Sequence, residues 1–128
     1  MENHILDSSA IIEILDDGPN TKYFRPIIKK HPDILVPAII ITEVRKVILR
    51  QRTQEEADLV TRSLLASQVI NIDESIATTA ADLAIKHNLP LADSLIYAIT
   101  VSYKATLWTQ DSDFKGLPKV RYYPKVTK

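Results

Sequence analysis

The spacing of apolar residues along the chain changes repeatedly, from short continuous runs to helical periodicity and back. Ile5-Leu6 closes a short apolar run that reads as a strand, and Asp7 follows it directly. Ala10, Ile11, Ile14 and Leu15 then recur at helical spacing until Asp16-Asp17-Gly18-Pro19-Asn20 stops the pattern with turn residues. Tyr23, Phe24, Ile27 and Ile28 predict a second short helix, broken by His31-Pro32-Asp33, and Ile34-Leu35-Val36 reads as a buried strand ended by Pro37. From Ala38 to about Arg52 a helix is predicted, with Ile40, Val44, Val47 and Ile48 on one side. Ile39, Thr42, Glu43, Lys46 and Arg50 occupy the adjoining face. Thr53-Gln54-Glu55-Glu56 has the form of a cap and an acidic first turn, so a further helix carrying Leu59, Val60, Leu64 and Leu65 completes a helical hairpin.

Val69-Ile70-Asn71-Ile72 is the next strand candidate and Asp73 the cap of a helix whose inner face is Ile76, Ala80, Leu83, Ala84 and His87. Asn88-Leu89-Pro90 closes it. Leu91 to Ala105 predicts an internal helix, Thr106-Leu107-Trp108-Thr109 a strand, Gln110 to Gly116 a polar turn, and Val120 to Tyr123 a last strand before a basic tail. Strands alternating with helices throughout predict an α/β fold of three layers, a mostly parallel central sheet flanked by helices on both faces. No repeat, low-complexity stretch or linker interrupts the pattern, so residues 1–128 are read as a single domain.

Composition narrows the chemistry. The absence of cysteine excludes thiolate zinc sites, iron–sulfur ligation and thiol nucleophiles, and it fits a reducing, cytoplasmic location. No basic segment leads into an apolar one, and the longest apolar run, Ile34 to Ile41, is interrupted by Pro37 and too short for a bilayer. A soluble protein without a signal peptide or membrane association is expected. Sixteen basic against sixteen acidic residues argue against coating nucleic acid through a broad positive field. They leave room for a small nucleic-acid site whose positive charge comes from a metal. With two glycines in the chain there is neither a dinucleotide fingerprint nor a P-loop.

In open parallel sheets ligands bind beyond the carboxyl ends of the strands. Asp7 and Asp111 follow strands, Glu43 lies early in the helix after Val36, and Asp93 sits in the first turn after Pro90, so all four acids can reach one rim. Each alone has an ordinary explanation as a helix-start, turn or surface residue. Glu43 after Ile39-Ile40-Ile41, and Asp93 beside Ala92 and a largely apolar helix, are nevertheless set close to buried surface. A charge there is costly unless it is paired or holds a metal.

The succession Leu6-Asp7-Ser8-Ser9, Thr42-Glu43-Val44, Ala92-Asp93-Ser94-Leu95-Ile96 and Trp108-Thr109-Gln110-Asp111-Ser112-Asp113-Phe114 resembles the PIN-domain nucleases, most of all the VapC-type toxins of toxin–antitoxin modules. The resemblance implies that Asp7, Glu43, Asp93 and Asp111 form a catalytic, metal-binding acidic cluster with Asp113 as a variable fifth member. Ser8 or Ser9 and Thr109 are then supports that orient carboxylates and water. Tyr103-Lys104-Ala105 departs from the family, which commonly has a glycine before this strand.

Oxygen ligands without His or Cys suit one or two Mg²⁺ or Mn²⁺ ions. Crowded carboxylates repel, so without metal at least one should have a raised pKa. His4, His31 and His87 share no motif with the acids and are read as structural or exposed. Arg45, Lys46, Arg50 and Arg52 read by default as a solvated helix face, although Lys46 and Arg50, one and two turns beyond Glu43, are placed to hold an RNA backbone. Tyr97 reads as core, with base stacking the rival role.

By resemblance the substrate is single-stranded RNA or an RNA loop, cut to a 5′-phosphate and a 3′-hydroxyl. The partners are an antitoxin that inserts a basic side chain among the acids and a second copy packed through helices. The alternatives are an RNA-processing nuclease of the same family, a PIN scaffold that binds without cutting, and a response-regulator receiver. The receiver fits badly, because Ser8 stands where that family has a second acid.

Overall fold

The computed structural model describes residues 2–126. Strands and helices alternate as β1 (Asn3–Leu6), α1 (Ser8–Leu15), α2 (Thr21–Lys30), β2 (Leu35–Pro37), α3 (Ala38–Gln51), α4 (Gln54–Leu65), β3 (Gln68–Ile70), α5 (Glu74–His87), α6 (Leu91–Ser102), β4 (Ala105–Thr109) and β5 (Val120–Tyr122). Every strand pairing among them is parallel: β1 with β4, β4 with β5, and β2 with β3. β1 packs beside β2, yet the hydrogen-bonded ladder is divided there, into β1-β4-β5 and β2-β3. β2 is only three residues long and ends on Pro37, which has no N–H to donate.

Side chains alternate between the two faces of a strand, so consecutive buried residues mean that both faces are covered. His4, Ile5 and Leu6 are all buried in β1, as are Leu35, Val36 and Pro37 in β2. Helices therefore flank the sheet on both sides, as the alternation of elements predicts. Ile40, Val44 and Ile48 of α3 and Ile96, Ala98 and Ile99 of α6 join the strands in one core. Among the described residues no helix is long and apolar enough to cross a membrane.

The predicted caps form. Thr53 Oγ1 accepts from Glu56 N (3.1 Å), and Asp73 Oδ1 from Ile76 N (2.9 Å). Asn88 ends α5 in the left-handed region at φ +54°.

Two boundaries and one buried face differ from the sequence pattern. α6 stops at Ser102 rather than running to Ala105, because Lys104 turns left-handed at φ +50° and Ala105 opens β4. The sharp turn that a glycine often makes is thus made by lysine. β3 covers residues 68–70, not 69–72, since Asn71 and Ile72 have left the ladder and are exposed. On α4 the buried positions are Ala57 and Leu64, whereas Leu59 and Leu65 face outward.

Candidate active site

Asp7 is held at the end of β1 by three donors, two from the start of α1 and one that the fold brings from 102 residues away. Its Oδ1 caps α1 by accepting from Ala10 N (3.0 Å) and also accepts from Ser9 Oγ (2.6 Å); its Oδ2 accepts from Thr109 Oγ1. The β1–β4 register makes this possible, because it sets Leu6 against Trp108 and so places Asp7 beside Thr109. The Asp111 N–H in turn donates to Thr109 Oγ1 (2.9 Å), which ties the two acids through one hydroxyl. Asp7 is almost fully buried, and burial lifts its carboxyl to about 6 even though the three donors pull it down.

Asp111 caps the 3₁₀ turn Ser112–Phe114 by accepting from Asp113 N (2.9 Å), which folds Asp113 back toward the acids. Asp93 enters from the first turn of α6, whose cap residue Pro90 offers no side-chain acceptor. Carboxylate oxygens of Asp93, Asp111 and Asp113 come within 4.8 Å of one another. Burial raises the Asp93 pKa to about 8, with the charges of Asp111 and Asp113 adding to it. Glu43 reaches in from the second turn of α3. Its pKa is raised by burial and by Asp111, against a lowering contribution from the Ser8 hydroxyl. Asp111 is the common neighbour, since its charge is felt by Asp7, Glu43 and Asp93 alike.

The donor set fits a hard divalent cation. Among the described residues Glu43 Oε1 is buried without a hydrogen-bond partner, which is unfavourable for a carboxylate oxygen that nothing else satisfies. Oxygen-only donors with raised pKa values are the arrangement in which Mg²⁺ or Mn²⁺ relieves both the repulsion and the orphaned atom.

The structure thus brings Asp93, Asp111 and Asp113 together and sets Asp7 and Glu43 within reach of the Asp111 charge. Ser9 and Thr109 both contact Asp7, while Ser8 turns to Glu43. The basic run of α3 divides in two. Arg45 binds Asp58 (3.0 Å) and Thr61 (2.9 Å) across the α3–α4 hairpin, and Arg52 pairs with Asp16 and donates to Leu15 O (3.1 Å). Lys46 and Arg50 line a cavity together with Glu43. Tyr97 is core, its hydroxyl donating to Pro118 O (2.8 Å), so it does not stack on a base.

Glu2, His4 and His31 form a second convergent group of potential ligands at the start of β1. The His4 and His31 rings lie 4.0 Å apart, and His4 Nδ1 accepts the Trp108 Nε1–H at 3.0 Å. A neutral His4 therefore keeps its proton on Nε2, the atom facing Glu2 at 3.3 Å, and has no lone pair there for a metal. This group is structural.

Three residues of the site escape sequence reading. Gln110, nearly buried, donates its backbone N–H to Ser9 Oγ (3.0 Å) and its side-chain amide to Ser9 O (3.3 Å). Asn20 Nδ2 donates to Gln110 Oε1 (2.7 Å) and to Pro124 O (2.9 Å). Glu13 Oε2 accepts the Asn20 N–H (2.8 Å). The available signals are faint: Gln110 stands between Thr109 and Asp111, and Asn20 occupies a helix-cap position without capping. Gly18 makes room for this network, because a Cβ there would lie 2.2–2.6 Å from the Glu13 carboxylate. Gly18→Ala is expected to drive Glu13 off Asn20 and cost about 1–3 kcal/mol, read from the urea midpoint; an unchanged midpoint would mean that Glu13 moves aside freely.

Solved structures share this architecture. A toxin–antitoxin complex from Klebsiella pneumoniae contains a chain 21% identical to this one, with a TM-score of 0.79 over 98% of this chain and 100% of that chain. VapBC2 from Rickettsia felis, bound to a DNA fragment from its promoter, is 16% identical with a TM-score of 0.74, covering 94% and 98%. VapC20 from Mycobacterium tuberculosis, a toxin that cleaves the sarcin–ricin loop, is 12% identical with a TM-score of 0.72, covering 88% and 93%. At these identities the likeness is one of fold. No curated protein matches the chain by sequence. The PIN-domain family, by contrast, matches residues 4–120, and the chain belongs to it.

Proposed function

We propose that this protein is a metal-dependent endoribonuclease and the toxin of a toxin–antitoxin module. The observation that carries the reading is the meeting of Asp93, Asp111 and Asp113 at the carboxyl edge of a parallel sheet, with Asp7 and Glu43 within reach of the Asp111 charge and Glu43 Oε1 left without a partner among the described residues. Asp93, Asp111 and Asp113 would hold Mg²⁺ or Mn²⁺, with Glu43 and Asp7 adjoining. The chemistry a divalent ion would supply there is a water of lowered pKa and compensation of the negative charge that in-line hydrolysis of a phosphodiester develops. Ser9 and Thr109 keep Asp7 ionised and fixed by donating to both of its oxygens. Lys46 and Arg50 hold the RNA backbone beside Glu43.

Several of the structural neighbours are toxin–antitoxin complexes, which supports an antitoxin as the protein partner. An apolar hollow of about 400 Å³ between α1, α2 and α4, lined by Ile11, Ile14, Ile28 and Leu64 among others, is suited to an apolar segment of such a partner. Exposed Ile85 on α5 and Leu91 on α6 favour a homodimer packed through helices. Incubation of the purified protein with total RNA and Mn²⁺, followed by mapping of the new ends, tests activity and substrate together. Discrete cuts bearing 5′-phosphates, lost in excess chelator, are expected. Intact RNA with every divalent metal tried would leave a non-cutting PIN scaffold as the better reading.

A further inference from the structure

Beside the acids, α1, α3, the segment after β4 and the C-terminal tail line an open cavity of about 460 Å³, within the size range of small-ligand sites. Its charged lining falls into two sets. Two of the carboxylates are already engaged, since Glu13 accepts from Asn20 N and Asp16 pairs with Arg52, and the third, Glu43, belongs to the acid centre. The cations Lys46, Arg50 and Lys125 are not engaged, for among the described residues none of them has a carboxylate within 4.0 Å.

Lys46 and Arg50 stand one turn apart on α3, whereas Lys125 comes from the tail. That tail is fixed in place. The Tyr123 N–H donates to Thr109 O (2.9 Å), the Tyr123 ring stacks on Tyr23 at 4.2 Å, and Pro124 O accepts from Asn20 Nδ2. Lys125 is therefore carried by a backbone anchored on both the sheet and α2, one residue past the last anchor. Three unpaired cations facing one cavity, with the acid centre at its edge, make an anion seat next to a metal site.

We propose that this cavity seats the RNA phosphate neighbouring the one at the acid centre, gripped by Lys46, Arg50 and Lys125, with Lys125 as a backbone-binding residue supplied by the C-terminal tail. The proposal rests on RNA being the substrate. RNA suits the cavity better than an acidic peptide does, because Lys46 and Arg50 continue the side of α3 that carries Glu43, so a strand held by its backbone in the cavity runs on into the acid centre. An RNA strand gains at both ends, from the cations here and from the metal next door.

The test is fluorescence anisotropy of a short fluorescein-labelled single-stranded RNA of mixed sequence, in chelator and over a range of KCl concentrations. Lys125→Ala is expected to weaken binding several-fold and to flatten the slope of log affinity against log salt by about 0.7. Lys125→Arg should restore both, and Lys86→Ala on α5 should change neither. In Mn²⁺ cleavage assays Lys125→Ala should raise KM and leave kcat alone. Wild-type affinity and slope in Lys125→Ala would overturn the proposal. So would binding of a polyglutamate peptide that depends on Lys125 while RNA binding does not. A wild-type protein that never cleaves, yet binds RNA with this dependence on Lys125, would sink the nuclease reading and support the seat.

Discussion

Asp7→Asn and Asp93→Asn are each expected to reduce RNA cleavage by at least ~100-fold, since even residues that merely orient metal ligands cost 10–100-fold when removed. Both variants should remain folded. Asn at position 7 keeps an acceptor for Ser9 Oγ and Ala10 N, and its amide can donate to Thr109 Oγ1 if that hydroxyl turns toward Ser9 Oγ, 3.4 Å away. Asn at position 93 mimics the protonated carboxyl that the metal-free protein carries below about pH 8, so little charge at the helix N-terminus is given up. It also removes repulsion from Asp111 and Asp113. Circular dichroism and a thermal melt check the fold, and a quenched-fluorophore RNA assay checks activity. Wild-type turnover by either variant, or by wild type in excess chelator, would sink the metal-nuclease reading.

The metal-free protein is expected to lose stability as pH rises, and Mg²⁺ or Mn²⁺ to restore it. The sign follows from proton linkage. Asp7 titrates near 6 and Asp93 near 8 in the folded protein, against 3.8 for an ordinary aspartate. Between those values the folded state binds more protons than the unfolded one, so stability falls with increasing pH. The loss begins near pH 4 and continues through the folded-state values, to about pH 8. For the buried Asp7 the gap of roughly two pH units corresponds to ~3 kcal/mol, or on the order of 10 °C in Tm. A divalent ion that binds only the folded state offsets this by mass action, most strongly where the acids are ionised. Melting curves in chelator from pH 5 to pH 9, repeated with Mg²⁺, measure both effects. Asp7→Asn and Asp93→Asn should flatten the chelator profile. A Tm that climbs with pH in chelator would contradict the buried, metal-seeking acids described above.

The same substitution thus acts in opposite directions on two observables. Asp93→Asn destroys the proposed reaction and relieves the metal-free fold, as expected where function places like charges together and a ligand offsets the cost.

Much of this was legible in the amino-acid order, because the reasons are local. Ile5-Leu6 ending at Asp7 makes a strand-to-helix junction whatever surrounds it, and the alternation of strands with helices sends Asp7, Glu43, Asp93 and Asp111 to one edge of a parallel sheet. The caps at Thr53 and Asp73 were equally local. The stop of α6 was not, since Lys104 adopts a left-handed turn that its residue type disfavours, and packing of Ala105 into β4 imposes it. Glu13 is a polar residue outside the apolar set of α1. It is buried because Gly18 admits its carboxylate and Asn20 satisfies it.

By itself, the sequence determined the elements, the parallel sheet and the set of acids, since periodicity, caps and strand ends depend on neighbours a few residues apart. Only the tertiary structure decided which groups face one another. It put Thr109 on Asp7, Asp113 into the tightest acid group, Arg45 and Arg52 into ion pairs, and left Lys46, Arg50 and Lys125 free at one cavity. Those choices depend on register and packing between residues up to a hundred positions apart, where a hydrogen bond or a buried charge has no counterpart in local spacing.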